Sequence, residues 1–350
     1  MRAYQIVKWG EPLEEREVPM PEPKGTEVLI RVTASGICHS DIHIWDGYFD
    51  MGGDNKLSLE DRGLKLPFTM GHEVLGEVAA LGPDASGVEV GDRRIVFPWI
   101  GCGACAVCER GDELLCLAPR TVGTRYAGGY AEYCIAPHAK YLVPFEGTDE
   151  PHAATCACSG VTAYSALKKV NFLSKDEHLM IIGAGGVGLA GIGMAKAVCD
   201  AKLIVADIDP AKRAAAIAAG ADIVIDNSDA GAVAQLLEST GGGVDAAIDF
   251  VGAPATTGFA MQALARGGTV VVVGLFGGAL PLPVASLPLK MMRLIGSYVG
   301  SLEEMHELMA LVKAGKVKAV PTTPRPLREA GQAIADLRAG KAVGRYVLVN

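Results

Sequence analysis

The chain has 350 residues, half of them hydrophobic and 21% charged, with a net charge of −8. That length exceeds one ordinary core and predicts about two domains. With few aromatics and no block of Lys and Arg, it excludes a nucleic-acid surface, and no apolar run reaches the roughly 18 residues that would span a bilayer.

The N-terminus reads as a first strand and carries no apolar leader, so the nine cysteines are expected to stay reduced in the cytoplasm. Metal binding is then a better use for them than disulfides. Up to about residue 150, short apolar runs alternate with Gly, Pro and Asp, an all-β pattern. Residues 28–32 alternate as a strand, and Ala34, Ser35 and Gly36 are expected to break it. The stretch that follows, residues 38–43, puts Cys38, His39, Ser40, Asp41 and His43 together at a predicted strand-to-loop junction, a common address for chemistry. Residues 48–65 are polar and aperiodic and read as a long surface loop.

Gly71-His72-Glu73 opens the next strand, which runs over residues 74–81, and another strand covers 94–97. Paired with Cys38, His72 supplies a nitrogen to a catalytic zinc site, which takes three protein ligands and leaves one position open. Cys102, Cys105, Cys108 and Cys116 follow at spacings of 3, 3 and 8. Four thiolates so close can fill a tetrahedron, which makes that metal structural. An iron–sulfur cluster is the competitor, but the loop lacks the Cys-Pro ending of ferredoxin motifs.

From about Cys158 the pattern alternates strands and helices. An apolar strand over residues 178–182 leads into Gly183-Ala-Gly185-Gly-Val-Gly188, then a helical run to Val198, then a strand over 202–206 ending at Asp207. The glycine turn follows a strand and opens a helix, and Asp207 lies 19 positions past Gly188, as a dinucleotide site requires. Asp207 accepts a ribose 2′-hydroxyl and repels a 2′-phosphate, which predicts NAD over NADP. Strands follow over 222–226, 244–251, 269–274 and 292–298, with helices over 211–219, 232–238 and 256–265 between them. Unalternated Val/Ile strands with crossover helices predict a parallel sheet covered on both faces. A helix over 302–314 and a strand over 344–350, returning to the first domain, complete the chain. Residues 276–283 read equally as an edge strand or a surface turn.

Taken together, Cys38-His-Ser-Asp, Gly71-His-Glu, the four-cysteine loop, Cys158-Ser-Gly-Val-Thr162 and residues 183–188 resemble the zinc-dependent medium-chain alcohol dehydrogenases, over essentially the whole chain. The NAD-dependent tetrameric branch of bacteria and archaea is the most similar. The resemblance implies an α/β fold: a Rossmann domain with a doubly wound parallel sheet over residues 159–298, and a mainly β, GroES-like catalytic domain over 1–158 and 299–350. A structural-zinc lobe would span about 98–118. It implies two zinc ions per subunit, NAD, a small alcohol or carbonyl substrate, and a homotetramer or homodimer with no nucleic-acid or membrane partner.

Residue by residue, the resemblance makes Cys38, His72 and Cys158 the catalytic zinc ligands, with Glu73 behind the metal and able to exchange onto it. Cys156 rivals Cys158 on spacing alone. Asp41 would orient His72, Ser40 would accept the substrate hydroxyl proton, and His43 would pass it to solvent through the cofactor ribose. His39 and Arg345 correspond to pyrophosphate contacts, Lys212 lies near the adenosine ribose, and Thr162 lies by the nicotinamide. Gly183, Gly185, Gly186, Val187, Gly188, Asp207, Ile208, Val251 and Val273 complete the cofactor set, and Trp99 would wall the substrate pocket. A polyol or sugar dehydrogenase on the same scaffold is the alternative, though such enzymes often place Glu where Cys158 stands. A non-catalytic NAD- or zinc-binding protein would lack a ligand, and a zinc-free quinone reductase would lack the Cys38, His72 and Cys158 set.

Overall fold

The strand beginning at Val28 does not break at Ala34. In the computed structural model, which describes Met1–Asn350, it runs Val28–Gly36, with register shifts between Leu29 and Ile30 and between Val32 and Ala34. These irregularities bend the strand without ending it, and the small residues at its end are buried between two neighbours. On one side Gly36 pairs with Glu73 of Glu73–Leu81; on the other, Gly36 pairs with Val347 of Arg345–Val349. This junction is the centre of a seven-stranded sheet that also holds Arg93–Val96, Leu142–Val143, Tyr133–Ala136 and Thr322–Pro326.

Two more sequence expectations change here. Residues 38–43 are not in a loop: Cys38 caps the helix His39–Asp46, which stops at Gly47 in the left-handed region. The stretch 48–65 is not structureless either. Tyr48–Asp50 and Lys56–Ser58 form a hairpin whose tip, with Gly52, Gly53 and Asp54 at positive φ, supplied the polar signal that read as a loop.

The second sheet has six parallel strands in the order Ile223–Ile225, Lys202–Ala206, His178–Ile182, Val244–Asp249, Leu264–Val272, Arg293–Gly296. Chain order reverses between His178–Ile182 and Val244–Asp249, the switch point at which open α/β sheets bind ligands. Alternate residues serve opposite faces. Met180, Ile182, Ile204 and Ala206 pack with Phe259 and Ala260, while Leu179, Ile181, Leu203 and Val205 pack with Leu189 and Ile192. Both faces are therefore apolar, as the unalternated strands predict.

Boundaries shift where local chemistry rules. The helix expected over 256–265 is Pro254–Ala263, because Pro254 occupies its first turn, and the strand that follows begins early, at Leu264. The strand expected over 244–251 stops at Asp249, whose carboxylate accepts the amides of Val251 and Gly252 and turns the chain. Residues 276–283 form no strand. Glu150–Thr155, a π-helical turn Cys156–Gly160 and Val161–Lys168 form one continuous helical rod that residue spacing did not reveal. No helix is long and apolar enough to cross a membrane.

Candidate active site

Strand pairing assembles the site. Because Gly36 sits between Glu73 and Val347, residues at or just beyond the strand ends, Cys38, His72 and Arg345, meet at one point. A Cβ on Gly36 would collide with the Glu73 carboxylate, so only glycine allows the strands this approach. The π-helical turn adds Cys158. The sulfurs of Cys38 and Cys158, a nitrogen of His72 and a carboxylate oxygen of Glu73 lie within 4.8 Å of one another, and all four residues are buried. The two sulfurs are 3.8 Å apart. Cys156, the rival on spacing, stands outside this cluster; burial pushes its thiol up to about 12.

Asp41 organises the cluster from behind. It is fully buried; its Oδ1 lies 3.1 Å from His72 Nδ1, and its Oδ2 accepts from the Cys38 amide (2.8 Å) and the Tyr130 hydroxyl (3.0 Å). With Nδ1 turned to a carboxylate, His72 presents Nε2 to the cluster, where it has no protein partner. An unpartnered buried nitrogen facing two thiols and a carboxylate is what a soft divalent ion would fill. Burial pulls the imidazole down, but Asp41 and Cys38 together hold it well above the ordinary value. The hydrogen bond from Cys158 and the pull of His72 take Cys38 well below the usual thiol value, while Cys158 keeps the shared proton. Sequence reasoning missed Tyr130, which no motif marks.

Glu73 accepts from the guanidinium of Arg345 and, at Oε1, from the Ser159 amide (3.2 Å); burial pushes it up to about 7 against the opposing charge of Arg345. Arg345 also donates to the Ile37 carbonyl (2.8 Å), and its stem lies against Gly186, where a Cβ would collide with it. It therefore bridges the thiol cluster and the glycine turn.

That turn, residues 183–188, leaves the sheet at the switch point, and the helix Gly186–Val198 points its N-terminus outward. Gly188 packs so tightly on the Gly183 carbonyl that no side chain fits there. Asp207 accepts from Ala184 N and Asp209 N, both at 2.8 Å, which shapes the turn and leaves each oxygen a further lone pair. Ile208 is exposed, while Lys212, Val251 and Val273 are half-buried around this end of the sheet. Thr162 is buried with its hydroxyl unpartnered. These are the features of a dinucleotide cradle. Also unforeseen is Asp249, whose second oxygen takes the hydroxyls of Thr256 (2.9 Å) and Thr257 (2.7 Å) and so holds the floor of the switch point.

Around the cluster, Ser40 Oγ lies 3.8 Å from Cys38 Sγ. His43, on the same helix, has its ring 4.9 Å from Phe49 and 5.9 Å from His39, which stacks on Phe276. Trp99 packs 5.5 Å from His72 and 5.9 Å from Tyr298, anchored by a hydrogen bond to the Ala157 carbonyl.

Cys102, Cys105, Cys108 and Cys116 form a separate group. Sulfur–sulfur distances are 3.5 Å for Cys105–Cys108, 3.8 Å for Cys105–Cys116 and 3.9 Å for Cys102–Cys108. Four sulfurs within 4.8 Å of one another fit a closed tetrahedral metal site.

Comparison with known proteins agrees with this geometry. Residues 24–147 match the family described as alcohol dehydrogenase GroES-like domain, and residues 186–314 match the zinc-binding dehydrogenase family. The chain is 42% identical to an NAD-dependent alcohol dehydrogenase of Sulfurisphaera tokodaii and 40% identical to one of Saccharolobus solfataricus, with all of both chains covered in each case. Among solved structures, an alcohol dehydrogenase from Aeropyrum pernix superposes with a TM-score of 0.91 at 30% identity, covering 100% of each chain.

Proposed function

Because the chain belongs to the zinc-dependent medium-chain alcohol dehydrogenase family, we propose that its buried Cys38, His72 and Cys158 hold the catalytic zinc of an NAD-dependent alcohol oxidoreductase. The enzyme interconverts primary or secondary alcohols with aldehydes or ketones. The observation that carries the assignment of the site is His72 Nε2, buried and unpartnered between two thiols, beside a glycine turn built for a dinucleotide. When bound, the zinc supplies a Lewis acid for the substrate oxygen and NAD supplies the hydride acceptor.

The protein's own groups do the rest. Asp41 fixes the tautomer and aim of His72. Glu73, tied to Arg345 and pushed up to about 7 by burial, belongs to the same donor set and would be available as a further ligand to the zinc. Ser40 receives the substrate hydroxyl proton, and His43 carries it to solvent. Gly183, Gly185, Gly186, Val187 and Gly188 admit the pyrophosphate with His39 and Arg345. Asp207 takes the adenosine ribose among Ile208, Lys212, Val251 and Val273, Thr162 faces the nicotinamide, and Trp99 walls the substrate pocket. Cys102, Cys105, Cys108 and Cys116 hold the structural zinc of the lobe at about 98–118. Sheet membership supports a catalytic domain of residues 1–158 and 299–350 and a cofactor domain of 159–298. The free edge Arg293–Gly296, with Leu289 and Met291 exposed nearby, supports assembly into a homodimer or homotetramer. The unpaired cysteines suit a reducing, cytoplasmic setting.

The testing experiment is NAD reduction across a panel of simple, secondary and aromatic alcohols with sorbitol as contrast, alongside zinc per subunit and native mass. Two zincs, a multimeric mass and turnover of simple alcohols are expected. Exclusive turnover of sorbitol would move the enzyme to the polyol branch.

His43 gives a pH test. Burial, then repulsion from His39, lowers its pKa below the ordinary imidazole value. A lowered pKa leaves the ring neutral, and able to take a proton, at neutral pH; that capacity is lost only as pH falls through the lowered value. The acid limb of kcat should therefore lie below the ordinary imidazole value, and His43→Ala should lower kcat by ~10²-fold with zinc content unchanged. An identical pH profile in the variant would remove His43 from the relay.

A further inference from the structure

A hydroxyl shut away from water needs a partner, and an apolar site takes phenylalanine at less cost than tyrosine. Tyr130 has no exposed surface, and its hydroxyl makes a single hydrogen bond, 3.0 Å to Asp41 Oδ2. Burial, then the charge of Asp41, holds the phenol well above its usual value, so the hydroxyl keeps its proton and donates. Asp41 is just as deeply buried. Its Oδ2 also takes the Cys38 amide (2.8 Å), and its Oδ1 lies 3.1 Å from His72 Nδ1. One carboxylate therefore touches two of the residues that bring donors to the cluster.

A carboxylate turns readily about its last single bond, so the donors on Oδ2 decide where Oδ1 points. The Cys38 amide is local: it caps the helix that carries Asp41 and moves with it. The Tyr130 hydroxyl comes from 89 residues away along the chain and is the donor anchored outside that helix. Its anchorage is rigid. Tyr130 N donates to the Met70 carbonyl (3.0 Å), and the Tyr130 carbonyl accepts from Tyr4 N (2.8 Å). The ring fills the space that a Cβ on Gly71 would need, and Gly71 adjoins His72. Hydroxyl and ring thus both bear on His72, one through Asp41 and the other through Gly71.

We propose that Tyr130 is a positioning residue for the catalytic metal, holding the Asp41 carboxylate turned to His72 so that the imidazole keeps Nε2 toward the two thiols. This rests on the assignment of Cys38, His72 and Cys158 as the zinc ligands. Groups that hydrogen-bond behind a ligand set its aim, and their removal weakens a metal site although every ligand remains. Without the hydroxyl, Asp41 keeps only its local donor on Oδ2, and its hold on His72 loosens.

The test is Tyr130→Phe in the full-length enzyme, which keeps the ring beside Gly71 and removes only the hydroxyl. Two properties are read: the Kd of each zinc by chelator competition, and the visible absorption of enzyme carrying cobalt in place of the catalytic zinc. The catalytic zinc is expected to bind about tenfold more weakly, with shifted cobalt bands and kcat/KM lower by about tenfold. The four-cysteine zinc should keep its Kd, which separates this effect from a general loss of structure. Because Tyr130 acts through Asp41, adding Tyr130→Phe to Asp41→Asn should change the catalytic zinc Kd by less than about twofold. Effects that multiply in the double variant would overturn the proposal. So would a catalytic zinc Kd within about twofold of the unmodified value and an unaltered cobalt spectrum in Tyr130→Phe. If the unmodified enzyme holds only the four-cysteine zinc, the assignment of the cluster itself falls.

Discussion

Replacing His72 with alanine is expected to cut alcohol oxidation at least about a thousandfold while NAD still binds. Polarisation of the substrate oxygen by a metal is worth several kcal/mol of transition-state stabilisation, and about 4 kcal/mol corresponds to a factor near 10³. His72 is the only imidazole in the cluster, and its Nε2 has no other partner to satisfy. The substitution removes one neutral ligand and leaves Asp41 buried, still accepting from the Cys38 amide and the Tyr130 hydroxyl. Folding should therefore survive. Zinc per subunit should fall from two to one, because the four-cysteine group is separate. NAD binding, read by quenching of tryptophan fluorescence, depends on the glycine turn and should persist. Activity above about a tenth of the unmodified enzyme in a preparation holding one zinc would show that the cluster is not the reacting centre.

Cys116→Ser should act on stability instead. The lobe around Cys102, Cys105, Cys108 and Cys116 has almost no apolar core: its helix Ala106–Glu109 buries nothing, and Leu115 and Leu117 are 64% and 97% exposed. What ties it to the body is Glu113, which accepts from the Gly101 amide (2.8 Å), the Tyr141 hydroxyl (2.7 Å) and Lys140 (3.0 Å). A segment without a core folds on its metal, and removing one thiolate forfeits much of that binding free energy. The expected outcome is loss of one zinc, proteolysis within the lobe, and a Tm lower by about 10 °C, the equivalent of roughly 4 kcal/mol in a domain of this size. Chemistry at Cys38, His72 and Cys158 should be retained below the new Tm. An unchanged Tm with two zincs retained would show that the lobe does not depend on this thiolate.

Both experiments use residues that the sequence already singled out, and the reason is physical. Metal ligands and phosphate turns need particular atoms at short spacing, so they leave motifs. The four cysteines fall within 15 residues, and the glycine turn lies between an apolar strand and a helix. Parallel strands buried on both faces likewise declare themselves by unbroken Val and Ile, as at residues 178–182 and 202–206. Element limits were less legible. Ala34, Ser35 and Gly36 read as a breaker because small residues rarely hold a strand alone; here two flanking strands hold them. The 48–65 stretch read as a loop because the hairpin within it is short and half-exposed.

What local sequence determined, then, is the inventory: two sets of metal-ligating side chains, a glycine turn with an acidic residue beyond it, and a parallel sheet. Tertiary structure alone decided how the inventory converges. Cys38, His72, Cys158 and Arg345 come from four distant parts of the chain and meet because strands Val28–Gly36, Glu73–Leu81 and Arg345–Val349 are neighbours. Tyr130 behind Asp41 and Glu113, which ties the lobe to Tyr141, carry no motif, since a hydrogen bond depends on what lies opposite in space. Spacing along a chain records only what must be near in sequence; burial and pairing across strands record the rest.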